Sequence, residues 1–194
     1  MRMILSLFPG ASSRAKSRSQ AAALWHPEYP IEQRARGQTP KADALVLREV
    51  RRQSRAAMDT LFVADHGALR ILGRSEAALK DAIADLMHRY GGAFVAEPPG
   101  VRYAHGARVL EPWMEVLVNA PERHCETVKR VFLRRRGAIG RITPRGAAFV
   151  LEGEAPLADL LGFEEWLGDL TGGGPYVSTW LSRYRPIGHE PDAA

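Results

Sequence analysis

The sequence predicts an α+β chain built from two tandem four-stranded, two-helix units. Three observations carry that expectation: short strand-like runs alternate with helical periodicities, turn residues separate them, and the whole order occurs twice. The second pair of helix starts follows the first at a similar offset of about 80 residues, from Lys41 to Pro121 and from Ser75 to Pro156. Two copies of one small unit explain the matching offsets better than a single larger sheet.

Each element has its own local reason. Tyr29 to Arg36 reads as a strand. Ala42, Leu45, Val46 and Val50 recur at helical spacing and predict a helix over Lys41 to Ala57. Thr60 to Ala64 and Leu69 to Leu72 read as strands around Asp65-His66-Gly67, where glycine supplies the positive φ of a tight turn. Leu79, Ile83, Leu86, Met87 and Tyr90 mark one apolar helix face, with Ser75 as N-cap and Gly91-Gly92 as the stop. Ala93 to Ala96 closes the unit as a strand. The order is β-α-β-β-α-β, the split βαβ or ferredoxin-like unit.

The second copy begins with a strand from Trp113 to Asn119. Pro121 is expected to open a helix, at the position where a missing N–H costs nothing, and Cys125, Val128 and Phe132 line it. A hairpin follows, Ala138 to Thr143 and Ala147 to Leu151, turning at Pro144-Arg145-Gly146. A helix from Pro156 to Leu170 and a strand from Tyr176 to Tyr184 complete it. The expected domains are 25–104 and 109–187, between a disordered basic arm at 1–24 and a disordered tail at 188–194. Each half is small enough to bury only a thin core, so the two are expected to pack together.

Composition narrows the function. The 194 residues are 45% hydrophobic and 25% charged, as in ordinary globular proteins, which sets aside a collagen or a wholly disordered chain. Lys+Arg is 27 against Asp+Glu 22, a formal charge of +5, and only four of the cations are lysines. Arginine forks onto phosphate and stacks on flat rings, so the excess permits a nucleic-acid partner without demanding one. The single cysteine, Cys125, allows no internal disulfide and no cysteine-based zinc site. It suits a reducing compartment. No stretch approaches a membrane span, and Met3 to Phe8 is too short for a signal-peptide core. The arm before Glu28 carries Arg2, Arg14, Lys16 and Arg18 with several serines. That fits either a cytoplasmic protein with a disordered basic arm or an organellar transit segment.

No catalytic constellation emerges. There is no Gly-Lys dipeptide, hence no P-loop, and no H-E-x-x-H or G-x-S-x-G. His124 and Cys125 are adjacent in a helix and point apart, so they form no dyad. Gly172-Gly173-Gly174 follows a helix and precedes a strand, the reverse of a phosphate cradle, and reads as a flexible turn. The chain is expected to be no enzyme and to need no cofactor or metal. Two arginine groups remain. Arg134, Arg135 and Arg136 end a helix, with Arg141 and Arg145 on the following hairpin. The helix dipole accounts for part of that run. Five arginines in twelve residues exceed what capping needs, and a phosphate-facing patch is the other reading. Arg48, Arg51, Arg52 and Arg55 form a second run that reads as a solvated helix face. Both sheets lack the aromatic pairs of a single-strand RNA platform.

The spacing of certain residues resembles a known family. Glu111-Pro112-x-Met114-x-Val116, Pro121-Glu122, Arg135-Arg136-Gly137, Pro144-Arg145-Gly146, Pro156-Leu157-Ala158, Gly162-Phe163, Thr171, Gly173 and Tyr184 resemble the fifth domain of elongation factor G and its translational GTPase relatives. More weakly, Pro30, Lys41-Ala42-Asp43, Gly73-x-x-Glu76-x-x-Leu79 and Pro98-Pro99-x-Val101-x-Tyr103 resemble the third domain. The GTPase domain, the barrel domain and the fourth domain have no counterpart within these 194 residues. Direct passage from third-type to fifth-type domain looks like the BipA and LepA relatives.

The resemblance implies a surface against the large ribosomal subunit and its RNA. It would include Gly73, Arg74, Ser75 and Glu76, and the loop Thr171, Gly172, Gly173 and Gly174. Arg74-Ser75 stands where the family has Met-Gly, and the arginine of the family's Gln-Gly-Arg-Gly loop is missing. The implied function is a non-catalytic module that binds the ribosome, with a separate GTPase subunit as a further partner if the factor is split. The competing expectation is a repurposed ferredoxin-like module for dimerisation or small-ligand sensing.

Overall fold

The computed structural model describes residues 26–39, 42–53, 58–65, 68–173 and 175–187. The expected arm and tail, Lys41, His66-Gly67, Gly174 and the end of the first helix beyond residue 53 lie outside the described residues.

The chain folds into two antiparallel sheets. The first unit runs β1 (Ile31–Gly37), α1 (Ala42–Gln53), β2 (Thr60–Asp65), β3 (Ala68–Gly73), α2 (Glu76–Tyr90) and β4 (Phe94–Ala96), with a short β5 (Gly100–Val101). Its strands lie in the order β2-β3-β1-β4, and β5 pairs β1 beyond the end of β4. After β6 (Ala104–His105), the second unit runs β7 (Val109–Pro121), α3 (Cys125–Arg134), β8 (Ala138–Arg145), β9 (Ala148–Pro156), α4 (Leu157–Leu160), α5 (Phe163–Thr171) and β10 (Tyr176–Pro186). Its sheet order is β10-β7-β9-β8. In both sheets the first and third strands are central and the second and fourth are outer, the ferredoxin-like arrangement. The segment between the units is partly strand: β6 folds back onto β7, with His105 opposite Val109.

Strand alternation sets the cores. In β7, Met114, Val116, Val118 and Ala120 are buried on the helix-covered face, against Val128 and Phe132 of α3 and Phe163 and Leu167 of α5. Leu69 and Ile71 of β3, with Ile31 and Ala35 of β1, do the same under Leu79 and Leu86 of α2. Ser75 caps α2 as expected, its Oγ accepting the Ala78 N–H at 3.2 Å, and Gly91 ends it at φ 51°.

Two helix expectations need correction. Pro121 ends β7 instead of opening a helix; a single 3-10 turn, Glu122–His124, precedes α3. The β7–β9 ladder reaches Pro121, opposite Ala148, and holds that backbone extended. The expected helix over Pro156 to Leu170 is two helices. Gly162 sits between them at φ 72°, a left-handed conformation natural to glycine.

The units touch directly. The Gly162 N–H donates to Glu76 Oε2 at 3.0 Å, and the Tyr184 hydroxyl donates to the Pro27 carbonyl at 3.0 Å. Arg102 Nη1 donates to the carbonyls of His26 and Tyr29, holding the entry segment against the end of the first unit.

Candidate functional site

The five arginines of the second unit split into two groups. Arg135 and Arg136 are tied to the fold by hydrogen bonds, Arg136 from an exposed position. Arg135 Nη1 donates to the Asp159 carbonyl at 2.5 Å and the Leu161 carbonyl at 3.3 Å, and its guanidinium lies 5.4 Å from the centre of the Phe163 ring. It thereby fastens the end of α3 to the break between α4 and α5. Arg136 adopts a left-handed backbone, φ 55°, which only a strong side-chain anchor holds in a non-glycine residue. The anchor is a fork onto Glu111, at 2.9 and 3.1 Å, with Nε donating to Asp159 at 2.6 Å. Glu111 is buried, and its hydrogen bonds raise the Arg136 pKa further above the ordinary arginine value.

Arg134, Arg141 and Arg145 are exposed. Arg134 ends α3, Arg141 sits opposite Glu152 on the outer strand β8, and Arg145 ends β8. Unlike the equally exposed Arg136, they are held by no carboxylate among the described residues. Lys129 and Arg130 continue the basic character along α3, beside the exposed Leu133.

One arginine of the first run is tied to the fold as well. Arg52 bonds Glu49 and Asp85, whereas Arg48 and Arg51 are exposed; Arg55 lies outside the described residues. Glu49 is fully buried on α1. It accepts from Arg89 Nη2 at 2.7 Å, from the Tyr90 hydroxyl at 2.9 Å and from Arg52 Nη2 at 3.1 Å. Burial, then the bond to Glu49, raises the Tyr90 pKa.

Of the two segments singled out by resemblance, the first lines a cleft through Ser75 and Glu76, whereas Thr171, Gly172 and Gly173 do not line it. Ser75, Glu76 and Ala77 form one wall, and Pro175 to Thr179 form the other, around about 370 Å³. Leu157, Leu160 and Phe163 make its floor. Gly73 is buried at the end of β3, where a Cβ would stand 2.7 Å from Leu79 Cγ. Arg74 is exposed and lies over Tyr29, 5.7 Å from the ring centre. The Thr171 hydroxyl is spent on the Leu167 carbonyl at 2.8 Å, and Gly172 and Gly173 follow at φ 73° and 85°. Gly174 lies outside the described residues. The exposed arginines Arg134, Arg141 and Arg145 line no part of this cleft.

His124 and Cys125 form no pair. His124 Nε2 meets Arg123 Nε at 2.9 Å, and burial pushes the Cys125 thiol above its ordinary pKa, which suits a core side chain. Among the described residues no group of three or more His, Cys, Asp or Glu is placed to hold a metal, and no helix is long and apolar enough to cross a membrane.

Residues 108–193 match the family described as the elongation factor G C-terminus. The second unit is thus similar to the C-terminal domain of elongation factor G. Over this region the chain is 33% identical to elongation factor G of Ruegeria sp., across 88 residues, which are 45% of this chain and 12% of the relative. It is 37% identical over 82 residues to the mitochondrial ribosome-releasing factor 2 of Danio rerio, 42% of this chain and 11% of the relative. Elongation factor 2 of Thermococcus kodakarensis is 27% identical over 85 residues, 44% of this chain and 12% of the relative. The chain thus spans about an eighth of the length of these curated relatives. The matched stretch contains β7 to β10 and therefore Arg134, Arg141 and Arg145.

Proposed function

We propose that this chain is a non-catalytic translation-factor module that docks on large-subunit ribosomal RNA through its elongation-factor-G-type domain. One observation carries the reading: the family match spans the whole second unit, including the basic edge of Arg134, Arg141 and Arg145. Arginine forks suit phosphate oxygens, and such contacts position a protein without reading bases. The first unit acts as its third-domain-like companion. A separate GTPase subunit supplies nucleotide hydrolysis, and the protein works in the cytoplasm.

The experiment is co-sedimentation of the full chain with purified large subunits. Binding is expected at about 50 mM salt and should fall steeply towards about 200 mM, as phosphate contacts require. Arg134→Glu with Arg141→Glu and Arg145→Glu should abolish pelleting while the circular dichroism spectrum is unchanged. Failure to pellet at low salt overturns the reading. A stable dimer without ribosome binding would instead favour the interaction-module alternative.

A further inference from the structure

The two outer strands of the second sheet are finished differently. β8 carries Arg141, Pro144 and Arg145, and its pairing with β9 is irregular between Ile139 and Arg141. Charge, proline and irregular pairing are the usual guards against a further strand. From Tyr176 to Leu181, β10 has none of them: the run holds no charged residue and no proline, and its irregularity comes only after Leu181. Among the described residues β10 pairs with β7 alone, so its other edge presents backbone N–H and C=O groups without strand partners.

That unguarded edge runs along a groove. Cavities of about 370 and 550 Å³ share Ser75 and Thr179 and follow the strand from Tyr176 to Leu181. A third, of about 350 Å³, shares Asp59, Ala78 and Asp81 with the second. Six extended residues at about 3.3 Å each make a track of roughly 20 Å. Leu157, Leu160 and Phe163 floor one end of it, and the 45%-exposed Trp180 stands at the other.

The charge of the groove selects its occupant. The chain carries a net +5, yet the three cavities are lined by Glu28, Asp59, Glu76, Asp81, Asp85 and Glu164. Arg74 is the one arginine or lysine among the lining residues, and its guanidinium lies over the Tyr29 ring. The fold uses Glu76 on the Gly162 N–H and Asp85 on Arg52 and Arg89, whereas Asp59, Asp81 and Glu164 stand exposed in the groove. A phosphate backbone would meet like charge there, and a second copy of this chain would bring the same carboxylates. A cationic side chain instead finds carboxylates beside an indole face. We propose that the groove takes an extended segment of a partner protein bearing lysine or arginine, added as a strand on the free edge of β10. Its apolar side chains cover Leu157, Leu160 and Phe163, and a cation sits beside Trp180, Asp59 and Asp81. The proposal stands apart from RNA docking, which uses the β8 side of the unit.

Hydrogen exchange of the full chain tests it, with three capped octapeptides as probes. One alternates valine and lysine, one alternates valine and glutamate, and one is the valine-lysine peptide with every backbone nitrogen methylated. At saturation the valine-lysine peptide should slow, about tenfold, the alternate Tyr176–Leu181 amides that do not pair with β7, while Val116 and Val118 in the middle of β7 exchange as before. The glutamate and methylated peptides should bind at least about tenfold more weakly in fluorescence anisotropy. Asp59→Asn with Asp81→Asn changes two exposed side chains and should weaken the valine-lysine peptide by about the same factor, with an unchanged circular dichroism spectrum. No binding of that peptide at about 1 mM, protection that misses Tyr176–Leu181, or equal binding of either control peptide overturns the proposal. So does a dimer whose β10 edge is protected without peptide. No ribosome enters these measurements, so either outcome leaves the docking reading to its own test.

Discussion

Both units bury a carboxylate beside a helix end, but they secure it differently. In the first, Glu49 is shared among several donors, Arg52, Arg89 and Tyr90 from two helices among them. In the second, Glu111 rests on the single fork of Arg136, whose backbone is left-handed. A buried charge must be compensated. The first unit spreads that duty over several side chains, and the second concentrates it in one. The difference teaches that a run of arginines is no measure of a binding surface, because Arg135 and Arg136 are consumed by the fold while their neighbours face water.

The largest expected effect tests the concentrated arrangement. Arg136→Ala strands the Glu111 carboxylate and should lower unfolding free energy by about 2–3 kcal/mol, the lower range because solvent reaches the arginine. Arg136→Gly loses the same fork but relieves the left-handed backbone, so urea titration should find it about 1 kcal/mol milder than the alanine variant. Equal losses would mean that the strained backbone contributes nothing. The shared arrangement should be more forgiving: Arg89→Ala or Tyr90→Phe removes one of several donors and should cost about 1 kcal/mol in the same titration. A larger cost than that of Arg136→Ala would reverse the comparison.

A pH-dependent effect lies at the seam between the units. Burial pushes the Tyr184 phenol up to about 12, from an ordinary value of 10. The folded chain thus keeps a proton that the unfolded chain loses first. The stability linked to that proton is full below pH 10 and drains away between pH 10 and about 12. Chemical denaturation across that window should show a falling slope in the native chain and a shallower one in Tyr184→Phe.

Much of the fold was legible in the sequence because period-2 and period-3.6 patterns report burial directly. Val116 and Val118 alternate inward as the pattern requires, and Leu79 and Leu86 face the first sheet. Boundaries failed where tertiary pairing overrode local preference, as at Pro121, which the β9 ladder keeps extended. The helix break at Gly162 had a sequence signal, a glycine inside an apolar period, but no local rule said that it would turn left-handed. The candidate site was less legible. Sequence shows that Arg134, Arg135, Arg136, Arg141 and Arg145 are close along the chain. It does not show that Glu111 and Asp159, some 25 residues away on either side, come back to claim two of them. Glu49 within an apolar helical stripe was the one available hint of a buried ion cluster.

Helix α5 begins at a residue without a capping side chain, and the carboxylate that answers the Gly162 N–H comes from Glu76 at the start of α2. In a capping box that reach-back is supplied by the same helix, three residues on. Here one unit completes the other's helix start, so the halves are fitted parts instead of interchangeable beads. A chimaera that joins the second unit to a foreign ferredoxin-like partner would need an acid at that spot to close the joint.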